Sequence, residues 1–161
     1  MNAFEHMVIG AGAGALVAHL GGGNVGLLMI AGALAGPLPD IDTQWARRSR
    51  YPSHSKTCGL LSHRGPTHSV VAVLVVLAVV SVLFPVTWPQ HQLLAEAFAA
   101  GYASHLVADA ISPMGEPFFW PLSWRRFRVL PEHLCIHSGT RMFELPIAIG
   151  LLFICLSVRG A

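Results

Sequence analysis

Apolar segments of helix length alternate with two polar loops along this chain of 161 residues. Hydrophobic residues make up 53% of the chain and charged residues 11%, whereas a soluble domain usually carries about 25% charged residues. This pattern predicts an integral membrane protein of the all-α class, a bundle of about five helices. The length favours a single domain over residues 1–161, and a net charge of +2 gives no reason to expect nucleic acid as a partner.

The helices are bounded by glycine and proline signals. The third segment has no charge and is rich in Val and Leu, so it is predicted to be the clearest membrane-spanning helix. The first segment has no basic region before it and is expected to be retained rather than cleaved as a signal peptide. The predicted helices cover residues 4–20, 25–35, 69–86, 92–111 and 143–158.

Basic residues are concentrated in the two polar loops, residues 39–67 and 114–141, which hold nine of the ten Lys and Arg residues. Two helices separate these loops, so both loops are predicted to lie on one side of the membrane. The positive-inside rule makes that side cytoplasmic, in a membrane that the chain is predicted to cross several times.

Residue types that bind metals gather at the helix ends of the same predicted side. By contrast, His19 and His91 fall at the other side and are excluded. The convergence predicts a metal site at the cytoplasmic helix ends. The candidate ligands are His6, Asp40, Asp42, His63, His68, His105, Asp109 and Glu144.

Two of the clusters contain carboxylates. His105 and Asp109 are four residues apart on a helix and share one face, so they could grip one ion or form a hydrogen bond with each other. Asp40 and Asp42 point the same way if the backbone is extended, and they would repel each other unless a cation lay between them. A helix cap or a solvated turn is the structural alternative.

The histidine cluster contains a Gly65-Pro66 step that favours a turn between His63 and His68. Thr67 or Ser69 is predicted to cap the third helix. The guanidinium of Arg64 suits the oxygens of an anionic phosphate, although it is equally well explained as a positive-inside anchor.

The three cysteines form no CxxC pair, so a thiolate site and a disulfide framework are not expected. Imidazole nitrogen and carboxylate oxygen suit zinc, and suit manganese or iron less well. Two or three ions would clamp the attacking and leaving oxygens of a phosphoester.

Three ordered motifs resemble the YdjM-like family of bacterial inner-membrane proteins, which is grouped with metal-dependent hydrolases. They are Pro39-Asp40-Ile41-Asp42, His63-Arg64-Gly65-x-Thr67-His68-Ser69 and Gly101-x-x-Ser104-His105-x-x-x-Asp109. That family is distantly similar to zinc-dependent phospholipase C and to the single-strand-specific zinc nucleases, which are helical and hold three zinc ions.

The resemblance implies roles for individual residues. Asp40 would be the family's aspartate ligand, His63 or His68 its lone histidine, and His105 with Asp109 its His-x-x-x-Asp pair. Glu144 would close a His-x-x-x-Glu pair, but position 140 is Thr, so two ions are as compatible with the chain as three.

The leading hypothesis is a membrane-bound hydrolase of phosphoesters, with a lipid or lipid-linked headgroup as substrate and membrane lipids as its surroundings. Asp40 would act as general base, and Arg64 would hold phosphate together with one of the arginines in 125–128. The alternatives are an ion transporter and a metal-binding scaffold without hydrolytic activity. The aromatic stretch 117–128 suits a partner surface or an interfacial anchor.

Overall fold

The chain is described here by a computed structural model covering residues 3–41, 65–84, 90–131, 133 and 135. Four α-helices are present in this part: α1 (Ala3–Gly21), α2 (Val25–Ala35), α3 (Val70–Leu83) and α4 (His91–Ala110). Short 3-10 helices cover Leu38–Asp40 and Pro66–His68. The described residues contain no β-strand, and the all-α class is therefore confirmed. The predicted fifth helix, 143–158, lies outside the described residues.

The helix ends follow local chemistry. Asn24 caps α2 by accepting a hydrogen bond from the backbone N–H of Leu27 at 3.0 Å. Ser69 caps α3 by accepting one from Ala72 at 3.2 Å, so Ser69 is the cap rather than Thr67. The start of α2 also contacts the start of α4, because the side-chain oxygen of Gln90 accepts the N–H of Asn24 at 2.9 Å.

The membrane-spanning assignment differs from the sequence prediction. Among the described helices, α1 alone, with 19 residues, is long and apolar enough to cross a membrane. The helix expected to be clearest, α3, has 14 residues, whereas a span needs about 20. It ends early because the backbone of Phe84 is already extended, with ψ of 120°.

Helices α1, α2 and α4 pack against one another, and α3 packs on α4. Glycines allow this close approach. A Cβ atom on Gly32 would overlap the carbonyl oxygen of Gly10 in α1, and a Cβ on Gly101 in α4 would overlap the carbonyl oxygen of Gly32. Three backbones therefore meet at Gly32, as small residues at helix interfaces allow.

Replacing Gly32 with alanine should lower the free energy of unfolding by roughly 3 kcal/mol, because the overlap is with backbone atoms that cannot rotate away. Thermal unfolding in detergent, followed by circular dichroism, measures the loss. Gly26→Ala in the same helix is the control, since its nearest obstacle is the Asn24 Oδ1 atom at 3.6 Å. Equal midpoints for the two variants would contradict the packing.

Candidate metal centre

Four segments bring a histidine or aspartate to one end of the bundle. His6 lies in the first turns of α1, and Asp40 ends the 3-10 helix after α2. His68 ends the 3-10 helix before α3, while His105 and Asp109 lie in the last turns of α4. These five residues lie at one end of the bundle. His19 and His91 lie at the opposite helix ends, as expected.

The ligand-type atoms of Asp40, His68, His105 and Asp109 all lie within 4.8 Å of one another. The Nε2 atom of His105 is 3.3 Å from His68 Nε2 and 3.8 Å from both Asp40 Oδ1 and Asp109 Oδ2. Zn–N bonds of 2.0–2.1 Å place neighbouring tetrahedral ligands about 3.3 Å apart. The 3.3 Å separation matches that spacing, and the two separations of 3.8 Å from His105 Nε2 are about 0.5 Å longer.

The ring of His105 is oriented by the backbone. Its Nδ1 atom is 2.8 Å from the carbonyl oxygen of Gly36. A carbonyl can only accept a hydrogen bond, so Nδ1 donates, and the Nε2 lone pair of the neutral ring faces the cluster. A histidine that donates one ring N–H to a carbonyl while the other nitrogen is free to ligate is the usual arrangement in metal sites.

His68 is fixed in a similar way. Its Nδ1 atom is 3.0 Å from the hydroxyl of Thr67. The turn that carries both residues is tied to α4 because Tyr102 donates its hydroxyl proton to the carbonyl oxygen of Thr67 at 2.7 Å. Of the two histidines left open by the sequence, His68 lies in the cluster, and His63 lies outside the described residues.

His6 approaches the cluster from α1. Its ring stacks on that of His105 with centroids 3.7 Å apart, and its Nε2 atom is 3.6 Å from Asp109 Oδ1. Both ring nitrogens of His6 are buried without a hydrogen-bond partner. Such groups are rare in proteins and need an explanation such as an ion.

Asp109 lies between His6 on one side and His105 on the other. Its Oδ2 atom faces His105 and its Oδ1 atom faces His6. One oxygen of Asp109 is therefore directed at the cluster and the other at His6.

The electrostatics of the site favour a cation. The cluster and His6 together contain two carboxylates and three imidazoles. The side chains of His6, His68 and His105 are 0% exposed, and that of Asp109 is 3% exposed. With neutral histidines the cluster carries two negative charges, which one divalent ion would balance. Buried charges are otherwise very costly.

Asp40 lies at the open side of the cluster, with 24% of its side chain exposed. Burial taken alone raises the pKa of its carboxyl group. Hydrogen bonding to His68 and the positive charge of His105, His6 and His68 in their protonated forms outweigh burial and lower the pKa to about 2. Asp40 is therefore ionised at neutral pH, as a ligand or a base must be.

Four sequence-predicted site residues, Asp42, His63, Arg64 and Glu144, lie outside the described residues. Glu5 and Glu116 are buried acidic residues that the sequence analysis did not single out. A charge within an apolar helix was the available signal for Glu5. Glu116 gave no signal, since it stands in a polar loop.

Comparison with known proteins agrees with the motifs. The family model described as "YdjM inner membrane protein" matches residues 1–160. The chain is 37% identical over 93 residues to the protein named inner membrane protein YdjM from Escherichia coli K12, and equally to that of Shigella flexneri. The aligned region covers 55% of this chain and 46% of each relative, so it spans about half their length. No solved structure gives a significant match. The chain therefore belongs to the YdjM inner membrane protein family.

Proposed function

We propose that this chain is a metal-dependent hydrolase of phosphoesters, with two or three zinc ions at the cytoplasmic face of the inner membrane. One observation carries the proposal: buried imidazoles and carboxylates from four segments converge, and both nitrogens of His6 lack a hydrogen-bond partner. A purely structural hydrogen-bond network would be expected to satisfy His6, so a ligand accounts for the arrangement better.

The residues would divide their roles by position. Asp40, His68, His105 and Asp109 would hold a first ion, and the second oxygen of Asp109 with His6 would contribute to another. A third ion would depend on Glu144. Bound zinc supplies Lewis-acid activation of water and of a phosphoryl oxygen.

The partly exposed side of the cluster defines the proposed approach of substrate. Asp40 is 24% exposed there and, being ionised, can accept a proton from an attacking water. Arg64 and one of Arg125, Arg126 or Arg128 would hold phosphate oxygens through their planar guanidinium groups. Because the cluster lies at one end of the apolar helix α1, a lipid or lipid-linked headgroup is the substrate class that suits its depth.

The proposed cytoplasmic orientation of the site rests on the distribution of basic residues. The described helices place His6, Asp40, His68, His105 and Asp109 at one end, and the basic loops adjoin that end in the sequence. The positive-inside rule favours a cytoplasmic orientation for a chain that crosses the membrane several times.

The test is a metal count followed by an activity screen. The protein purified in mild detergent without chelator is expected to hold at least two zinc ions per chain by elemental mass spectrometry, and to release phosphate or a phosphorylated headgroup from phospholipids. His6→Ala should lower the count by about one ion and reduce turnover, because it removes a ligand of only one ion.

Two results would contradict the proposal. A protein without metal after zinc or manganese is supplied would leave a non-catalytic membrane scaffold as the better reading. Metal-dependent ion uptake into liposomes without hydrolysis would favour a transporter.

A further inference from the structure

The segment of residues 111–131, called here the aromatic segment, is fastened to the same end of the bundle as the metal cluster. The N–H of Val129 donates to the carbonyl of Ala110 at 3.1 Å, and the N–H of Val70 donates to the carbonyl of Phe118 at 3.0 Å. Backbone hydrogen bonds of 2.9 and 2.8 Å between Glu116 and Phe127 close the segment on itself. It is therefore a folded surface beside the cluster.

One side of the aromatic segment is held in the core, while the other exposes large apolar side chains. Phe118 packs against the buried residues Tyr102 and Leu106. By contrast, Leu122 is 92% exposed and Trp124 is 45% exposed. Trp124 forms an edge contact with Trp120, and Phe119 forms one with Phe127. Ordered aromatic side chains left outside the core are typical of a binding surface or a membrane interface.

The charges of the aromatic segment have one sign on its outer surface. Arg125, Arg126 and Arg128 are exposed, whereas its acidic residue, Glu116, is 0% exposed. Arginines interleaved with Trp, Phe and Leu match a bilayer surface in which anionic headgroups lie above the acyl chains.

The position of the aromatic segment in the fold also favours contact with a bilayer surface. The aromatic segment follows the end of α4, where Asp109 meets His6 in the first turns of α1. Since α1 is the helix suited to crossing the membrane, its end lies near a bilayer surface. We infer that the aromatic segment inserts Leu122 and Trp124 at the headgroup level and binds anionic phospholipids through Arg125 and Arg126.

Arg125 and Arg126 are also among the candidates proposed to hold substrate phosphate, so the test of this inference measures the depth of the aromatic segment rather than activity. A nitroxide is attached to Leu122→Cys in the full chain, with Cys58, Cys135 and Cys155 replaced by alanine. Phosphatidylglycerol or phosphatidylcholine is then titrated into neutral detergent micelles carrying the protein. The measured quantity is the lipid mole fraction that protects the label from an aqueous nickel relaxant. We expect this fraction to be several-fold lower for phosphatidylglycerol than for phosphatidylcholine.

Variants of the two arginines distinguish electrostatic attraction to anionic lipid from apolar insertion of the segment. Arg125→Gln/Arg126→Gln should raise the half-effective fraction of phosphatidylglycerol on the order of tenfold, while Arg125→Lys/Arg126→Lys keeps the charge and should respond like the parent. Circular dichroism must show the same helix content in every variant. A label that stays accessible to nickel in both lipids would overturn the inference and indicate a protein-docking surface. An equal response to both lipids would overturn the anionic preference.

Discussion

His105→Ala is expected to remove the metal from the cluster while the protein still inserts into the membrane. The Nε2 atom of His105 is the shared neighbour of three other ligand atoms, at 3.3 Å from His68 and 3.8 Å from Asp40 and Asp109. Without it, the cluster loses one of its four ligand residues, the one whose nitrogen adjoins the other three. Elemental mass spectrometry of the purified protein gives the number of ions per chain.

The control is His91→Ala, which removes the same residue type from the other end of the same helix. It should retain the full metal content. Alanine favours helix, so both variants should keep α4. Retention of metal by His105→Ala would show that the cluster does not hold the ion, and that its histidines and aspartates only satisfy one another.

Gly36→Ala is expected to weaken metal binding by roughly 10–100-fold, although it removes no ligand. The carbonyl oxygen of Gly36 accepts the Nδ1 proton of His105 at 2.8 Å. A Cβ atom on Gly36 would overlap the carbonyl oxygen of His6. The substitution therefore pushes α2 away from α1 at the residue that orients His105, and disturbs two histidines at once.

Competition with a chromogenic zinc chelator measures the affinity of this variant. Gly26→Ala controls for the change from glycine to alanine in α2, since its Cβ would make ordinary contact only. Unchanged affinity in a Gly36→Ala protein that remains folded would mean that the Gly36 carbonyl does not position His105.

The sequence predicted the helices and much of the site for identifiable reasons. Gly21 to Asn24 and the Gly36-Pro37 step bound α2 closely enough that its predicted and observed limits agree. The spacing of His105 and Asp109 placed both on one helical face. Topology from the basic residues added His6, a residue with no motif of its own, to the same end.

Other features had no signal in the one-dimensional pattern. The predicted length of α3 was too long because the uncharged run of residues continues to residue 86. In the structure the backbone of Phe84 is already extended, and the helix ends at Leu83. Neither the burial of Glu116 nor the hydrogen bond from Tyr102 to Thr67 can be read from spacing, since each depends on segments far apart in the chain.

The sequence by itself determined the helical class, the helix limits set by glycine and capping residues, and the end of the bundle where ligand-type residues gather. Those properties follow from local backbone chemistry and from the cost of placing charge in a membrane. Only the tertiary structure decided that His68 joins the cluster, that Asp109 faces both His6 and His105, and that the Gly36 carbonyl orients His105. Distances of 3 to 4 Å between side chains depend on how closely glycine-lined helices approach, which no single segment encodes.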